Sequence, residues 1–481
     1  MSGIENVEPK LVWKHFDEIR KIPRCSKHEE KIRDYIVTFA KKQGLKVKTD
    51  KTGNVLISKP AAPGVNNKPT LILQGHMDMV CEKNSDVTFD FSKDAIQLRR
   101  NGDILTATGT TLGADNGVGV ATSLAILEDK TIHHGPIEAL FTVDEETGLT
   151  GAFAMEPGFL TGKTMLNLDS EEYGILTVGC AGGGDSKIEL PVKTKPAPKD
   201  SQSIHIKISG LKGGHSGVNI HEQRGNAIKI LARILWKVSQ YGYSIAEIKG
   251  GDKHNAIPRE AYVKLVIPKT EKQKFTTAVQ NETAVIADEI KPIDPDLKIT
   301  VADCEHLTKV FDSSTQQKLL DLLQGLPHGV LKMSYDIKGL VQTSTNLATV
   351  AMNNHSVMIG MSSRSAVKSE LQDTRDKIKA IALLSDAKVT EETPYPGWKP
   401  DLDSKILALS KKVYKDLNKQ DPKVEAVHAG LECGIIGEKF PGMDMISIGP
   451  TIKYLHSPEE QVSISSVEKL YKFVVKILET V

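Results

Sequence analysis

LILQGHMDMV, Leu71–Val80, decides the reading of the fold. LILQG is an apolar run short enough to be a single strand, of the kind a parallel sheet buries on both faces. It ends on His76, and Asp78 follows two positions later. In extended backbone, residues two apart point to the same face, so the imidazole and the carboxylate share a side. Two readings fit: a buried pair that satisfies itself, or a pair that holds a ligand.

Working outward, GLKVKTDKTGNVLISKP before it reads as two short strands around a Gly-Asn turn. Further back, Ser26 and Glu29 have the spacing of a capping box, ahead of apolar Ile32, Ile36, Phe39 and Ala40 at helical spacing. After it, GADNGVGVATSLAILED starts as a glycine-rich loop and becomes a helix near Val118. IEALFTVDEE at 137 and TMLNLDSEE at 164 read as strands that end in acids. Acids gathered at strand C-termini predict an α/β fold: an open sheet with flanking helices and its ligand beyond the carboxyl ends.

The character shifts at CAGGGDSKIEL (180–190), a glycine run leading into PVKTKPAPKD, which reads as an exposed loop. From 203 to 395 a strand, glycine loop, long helix and strands are followed by a looser version of the same order. This predicts an inserted α+β domain, with an internal duplication as one reading. YPGWKP (395–400) reads as its exit linker. The segment to Val481 gives a helix, a strand (DMISIGP), a His-bearing loop and a last helix, a return of the first domain. The boundaries expected are 1–183 and 398–481 for the catalytic domain and 184–397 for the insertion.

At 481 residues the chain is too long for one ordinary domain. With 39 % hydrophobic and 26 % charged residues it reads as a globular protein with a substantial core. A formal net charge of +1 leaves no basic excess for a nucleic-acid backbone. No apolar run is long enough for a membrane span, and MSGIENVEPK lacks an apolar signal core. The five cysteines are scattered, odd in number and never in a C-x-x-C pair. That argues against a disulfide framework or a thiolate zinc site, and for a reducing compartment, the cytoplasm.

Five acid or imidazole sites fall at expected strand ends or loops: GHMDM (His76, Asp78), GADNG (Asp115), VDEETG (Glu145, Glu146), LNLDSEE (Asp169) and YLHSPEE (His456). Each alone is ordinary, a polar pair, a solvated turn or a helix cap. Together they make a mixed nitrogen and oxygen donor set that suits zinc, with carboxylates able to bridge two ions. Asp78 is placed to orient the His76 ring from its other nitrogen. Of the adjacent pair Glu145 and Glu146, one can bind metal while its neighbour serves as general base.

GHMDMV, GTTLGADNGVG, DEETGLTGA, LNLDSEE, GGHSG and LHSPEE, in this order and separation, resemble the M20 family of di-zinc metallopeptidases. The long form of the motifs and the large insertion are similar to its aminoacyl-histidine dipeptidase branch, and the resemblance covers nearly the whole chain. It implies Asp115 bridging two Zn2+ ions, with His76 and Asp169 completing one and Glu146 and His456 the other. It implies Glu145 as general base, Asp78 as the residue orienting His76, and a cis bond between Asp115 and Asn116. Co2+ or Mn2+ are accepted substitutes for such ligands.

His215 in GGHSG resembles the family's oxyanion donor, which in dimeric relatives reaches into the partner's site, so the insertion is expected to be a lid and dimerisation domain of a homodimer. Arg364 in GMSSRS, Asn255 in KHNAIP and Gly430 in VHAGLECG resemble its substrate contacts. The implied activity is hydrolysis of small unblocked dipeptides, Xaa-His of the β-alanyl-histidine type included. An N-acyl-amino-acid deacylase or a tripeptidase on the same scaffold is the alternative. A catalytically dead peptide-binding protein is disfavoured, because every ligand candidate and the base are present.

Overall fold

The structure is a computed structural model that describes Gly3, Ile4 and residues 6–481. Met1, Ser2 and Glu5 of the polar N-terminal stretch lie outside the described residues. The chain forms two compact units. Unit 1 comprises 1–179, 398–426 and 431–481, and unit 2 comprises 180–397 and 427–430.

Unit 1 is built on an eight-stranded sheet. Its strands are β1 (Lys46–Thr49), β2 (Val55–Lys59), β3 (Leu71–His76), β4 (Ile137–Thr142), β5 (Thr164–Asn167), β6 (Ile175–Cys180), β7 (Lys423–Val427) and β8 (Asp444–Ser447). They lie in the order β1-β2-β4-β3-β5-β8-β6-β7. The middle is parallel, β3 with β4 and β5, and β5 with β8, while β2 runs antiparallel to β4. Every residue of β3 and of β4 is buried, which explains why both read as near-continuous apolar runs. From β3 the chain crosses to β4 on one side and then returns to β5 on the other. The sheet therefore changes direction of winding at β3, where a crevice opens beyond the strand ends.

Unit 2 has a larger antiparallel sheet. Its main path runs Lys298–Asp303, Ser201–Ser209, Ala261–Pro268, Ser244–Gly250, Val341–Met352, Ser356–Ser365, Gly182–Pro191 and Lys388–Glu391. Alternating residues such as Ile204, Ile206, Val263 and Leu265 pack with Ile230, Leu231, Ile234 and Leu235 of helix Ala227–Lys237. That helix is capped by Asn226, whose side chain accepts the Ile228 and Lys229 N–H groups. Counting its longer strands, unit 2 runs β-α-β-β-α-β over 201–303 and then a looser version with one strand more between the helices, whose opening strand, Lys309–Phe311, pairs with Thr194–Pro196 off the main sheet.

Several sequence expectations are corrected. PVKTKPAPKD, which follows the ten-residue strand Gly182–Pro191, is only partly loop, since Thr194–Pro196 is paired. Ser26 caps nothing: helix Glu30–Lys42 has no side-chain cap. Cys25 and Cys81 form a disulfide, with Cα atoms 5.7 Å apart across 56 residues of sequence. Cys25 bridges Met79 as a parallel β-partner, a tertiary pairing that cysteine spacing does not display. The cysteine pattern therefore no longer carries the compartment. Among the described residues no helix is long and apolar enough to cross a membrane.

Buried histidines give the fold an acid sensitivity. Burial lowers His15 to about 4, against the raising effect of Glu128 2.8 Å away, and burial with nearby Arg364 lowers His428 to about 3. Each binds its proton more readily when unfolded, near 6.5. The stabilisation is complete above about pH 6.5 and is lost as pH falls towards the folded values, on the order of 3 kcal/mol for His15 and 5 kcal/mol for His428. The thermal midpoint is expected to drop between pH 6.5 and 4, and less steeply in His15→Gln. Equal acid slopes for the two chains would reject this account of His15.

Candidate active site

The rim of the parallel sheet in unit 1 gathers the chemistry. His76 is the last residue of β3, and Met77 N–H donates to Thr142 O at 2.8 Å, locking the exit of β3 to that of β4. Beyond β4, Asp144 takes a left-handed conformation (φ 51°), and the chain turns into the short helix Glu145–Gly148. Past β5, Leu168 N–H donates to Gln74 O at 2.8 Å and sets Asp169 beside β3. Asp115 sits in the first turn of helix Ala114–Glu128, where the helix is kinked at Asp115 and Asn116 and their peptide bond is cis. His456 lies on a surface loop, with φ 59°.

These five segments converge on Asp115. His76 Nε2 is 3.1 Å from Asp115 Oδ1 and 3.2 Å from Asp169 Oδ1. His456 Nε2 is 3.4 Å from Asp115 Oδ2 and 3.0 Å from Glu146 Oε2. The two oxygens of one carboxylate thus face two separate His–carboxylate pairs. Asp78 stands behind His76, with Oδ1 at 3.2 Å from Nδ1. Its Oδ1 accepts the Glu145 N–H at 3.1 Å, and its Oδ2 accepts the Glu146 N–H at 3.2 Å and the Ser26 hydroxyl at 2.8 Å. One buried carboxylate therefore orients the imidazole and holds the turn that carries both glutamates. Ser26, read from sequence as a helix cap, belongs to this support.

The electrostatics are those of a crowded anionic site. Burial raises Asp169 to about 6, with Asp115 and Glu146 adding to it against the pull of His76. Burial likewise pushes Glu145 well above the usual carboxylate range, helped by Asp169, Glu432 and Glu146. Hydrogen bonds to Asp115 and Glu146 raise His456 to about 11. Burial works against the charge of Asp78, yet His76, Ser26 and the Glu145 N–H hold it down at about 2.

Three carboxylates facing two imidazoles leave excess negative charge at a buried rim, which calls for cations. Glu146 Oε1 is buried and accepts no hydrogen bond from the protein, and buried Asp169 Oδ1 has only the His76 ring beside it, at 3.2 Å. Two triads, His76–Asp115–Asp169 and Asp115–Glu146–His456, each offer ligand atoms within 4.8 Å of one another. Both the unfilled acceptor capacity and the mixed donor set fit divalent metal ions.

Unit 2 carries a second group. His215 lies on the short strand Gly214–His215, paired with Ala256–Ile257. Its Nδ1 accepts the N–H groups of Gly217 (3.2 Å) and Val218 (3.0 Å), so the neutral ring carries its proton on Nε2. Burial, with Arg364 and His254 nearby, lowers His215 to about 4, which keeps it neutral. Asn255 accepts the Ser216 N–H through its backbone carbonyl at 2.8 Å, and its side chain is exposed. Arg364 is buried and donates from Nη1 to Tyr395 Oη at 2.8 Å, while its Nε has no protein acceptor. A Cβ at Gly183 would meet the Tyr395 ring at 2.4–2.6 Å, so glycine there admits the tyrosine. Gly430 lies against the same ring.

Other supporting residues escaped the sequence reading. Glu432, fully buried at the start of helix Glu432–Lys439, accepts Gln74 Nε2 (2.6 Å) and Thr142 Oγ1 (2.7 Å) behind β3 and β4. Burial lifts it to about 7. Arg24 and Glu460, also buried, bind backbone of the ligand-bearing loops. The partners named here are 53 or more positions away, where no local pattern points to them.

Residues 72–480 match peptidase family M20/M25/M40, and the chain belongs to that family, whose members are hydrolases acting on peptide bonds. It is 37 % identical to the cytosol non-specific dipeptidase of Escherichia coli (strain K12), over 100 % of this chain and 99 % of the relative. The solved structure of aminoacylhistidine dipeptidase from Vibrio alginolyticus is 41 % identical, with a TM-score of 0.93 over 99 % of this chain and 98 % of the other. Aminopeptidase PepT from Bacillus cereus shares the fold at 17 % identity, with a TM-score of 0.56 over 98 % of both chains.

Proposed function

We propose that the chain is a cytoplasmic metallo-dipeptidase that hydrolyses unblocked dipeptides, Xaa-His among them. The observation that carries the reading is Asp115, one carboxylate whose two oxygens face two separate His–carboxylate pairs. His76 and Asp169 would hold one divalent ion, Glu146 and His456 the other, with Asp115 between them and Zn2+ the ion best suited to the donors. When bound, such a pair supplies Lewis acidity to the scissile carbonyl and lowers the pKa of a coordinated water.

The chain's own residues do the rest. Glu145 accepts the proton of the attacking water and returns it to the leaving amine, a role its high proton affinity supports. Asp78 keeps His76 in one orientation. His215 offers an Nε2–H donor to the developing oxyanion. Arg364 receives the substrate carboxylate on its planar fork, and Asn255 and Gly430 line that subsite. Dimeric assembly, with His215 acting in the partner's site, is supported by the family resemblance of GGHSG.

The names of the two full-length relatives support a dipeptide substrate. The Escherichia coli relative's designation as non-specific favours a broad range of side chains, with Xaa-His inside it, and its designation as cytosolic supports the compartment. The test is metal analysis together with turnover of Ala-His, β-Ala-His, a tripeptide and an N-acetyl amino acid. Dipeptide cleavage with about two ions per chain is expected. Cleavage of the acetylated compound alone would assign the chain as a deacylase, and preference for the tripeptide would make it a tripeptidase.

His215→Ala is expected to lower turnover by about 10²–10³-fold, the usual cost of an oxyanion donor, with metal content unchanged. Mixing it with inactive Glu145→Ala chains should restore part of the activity, since one of the two sites of a mixed dimer would be intact. No rescue, with subunit exchange demonstrated, would place His215 in its own chain's site.

A further inference from the structure

Glu460 ends the LHSPEE segment and is 2 % exposed, yet among the described residues its carboxylate meets no side-chain donor at hydrogen-bond distance; its partners are backbone. Its Oε2 accepts the N–H groups of Leu112 (2.8 Å) and Gly113 (2.9 Å), and its Oε1 those of Ala114 (2.8 Å) and Asp115 (3.3 Å). Four consecutive amides fill the two oxygens of one carboxylate, whose acceptor capacity is about four. Arg24 binds the same loop from its carbonyl side, donating to Gly113 O, and reaches Met77 O (3.1 Å) and Asp78 O (2.6 Å) on the His76 segment. Gly113 has φ +68°, and a Cβ there would meet Arg24 Nη2 at 2.5 Å, so the loop is shaped around this pair of buried charges.

The other end of the linkage is His456, four residues before Glu460. Its side chain is 52 % exposed, and both Tyr454 and His456 have positive φ. The turn closes through Glu460 N–H to Ser457 O at 3.0 Å. An exposed loop with two left-handed residues needs an anchor to hold an imidazole within 3.4 Å of Asp115. Glu460 supplies one by binding the backbone of Asp115 itself.

We propose that Glu460 is a positioning residue of the metal centre: by clamping the amides of 112–115 it sets the separation of Asp115 and His456, and so the affinity of the ion held by Asp115, Glu146 and His456. The proposal rests on the two-ion reading above. Glutamine at 460 keeps the length but turns two acceptor positions into an N–H2 group that opposes two amides.

The experiment is stepwise binding of Zn2+ and Co2+ to the metal-free full-length chain by chelator competition, with the thermal midpoint of the metal-free protein recorded alongside. Glu460→Gln is expected to weaken one of two binding steps by about 10–100-fold, the scale of lost supporting partners, and to leave the other close to wild type. Exposed Glu459→Gln, with the same charge change, should bind as wild type. Glu460→Asp, which keeps the charge but is too short to reach all four amides, should weaken the same step and speed hydrogen exchange at 112–115. Wild-type affinities in both Glu460 variants would overturn the proposal. So would equal weakening of both steps with a lower metal-free midpoint, or failure of both variants to fold, since either makes Glu460 a general scaffold residue. Fewer than two ions in the wild type would instead overturn the two-ion reading.

Discussion

Glu145→Ala is expected to retain the metal content of the parent chain and to lose about 10²–10⁴-fold in kcat, the usual contribution of a positioned general base. The geometry separates the two neighbouring glutamates. Glu146 meets His456 at 3.0 Å and has a buried oxygen without a protein partner, the marks of a ligand. Glu145 is a member of neither triad that shares Asp115, although it lies beside His76 and Glu146 of those triads, and its carboxyl is pushed up by burial and by Asp169, Glu432 and Glu146. Its side chain holds neither the turn nor Asp78, because the bonds to Asp78 come from the backbone N–H groups of 145 and 146. Alanine therefore removes the base and spares the support. KM should change little, since the lost interaction belongs to proton transfer. Retained turnover would reject Glu145 as the base, and loss of one ion would make it a ligand.

Asp115→Ala is expected to cost both ions at once. Both triads assigned to the two ions count Asp115 as a member, so its removal leaves two-residue remnants, His76 with Asp169 and Glu146 with His456. The loss should exceed the about 10–100-fold seen when a supporting partner is removed, because a direct ligand is gone from each ion. Metal content should fall close to zero after dialysis and activity with it. The helix beyond should persist, since Asp115 caps no amide and Val118, Leu124 and Leu127 remain buried along it. Retention of one tightly bound ion would show that Asp115 serves only one of the two positions.

How far the sequence displayed these features depends on the range of the interactions. β3 was legible because both faces are covered, which leaves an unbroken apolar run. His76 and Asp78 were legible as a pair because extended backbone puts them on one side. The gathering of Asp115, Glu146, Asp169 and His456 was suggested by residue types at strand ends, and the family motifs gave it order. The misreadings share a cause. Ser26 has the spacing of a helix cap, but the Cys25–Met79 bridge turns its hydroxyl to Asp78. PVKTKPAPKD has the composition of a loop, but Thr194–Pro196 within it finds a strand partner in Lys309–Phe311, more than 100 residues on. Helix Lys272–Ile290 buries only Phe275, Val279 and Ile286 over 19 residues, too sparse a period to stand out.

The division of the chain has a consequence for synthesis on the ribosome. Unit 2 is nearly one uninterrupted stretch, 180–397, and can close most of its sheet as soon as that stretch has emerged. Unit 1 is in three pieces, and β8, which lies between β5 and β6, is made almost 280 residues after β5. Until then the sheet has an open slot beside β5, and His76, Asp115, Glu146 and Asp169 wait without His456. On the proposed ligand set, the nascent chain thus has an incomplete donor set through the whole translation of the insertion. A chain cut short before His456 would, on the same set, lack one ligand of the second ion.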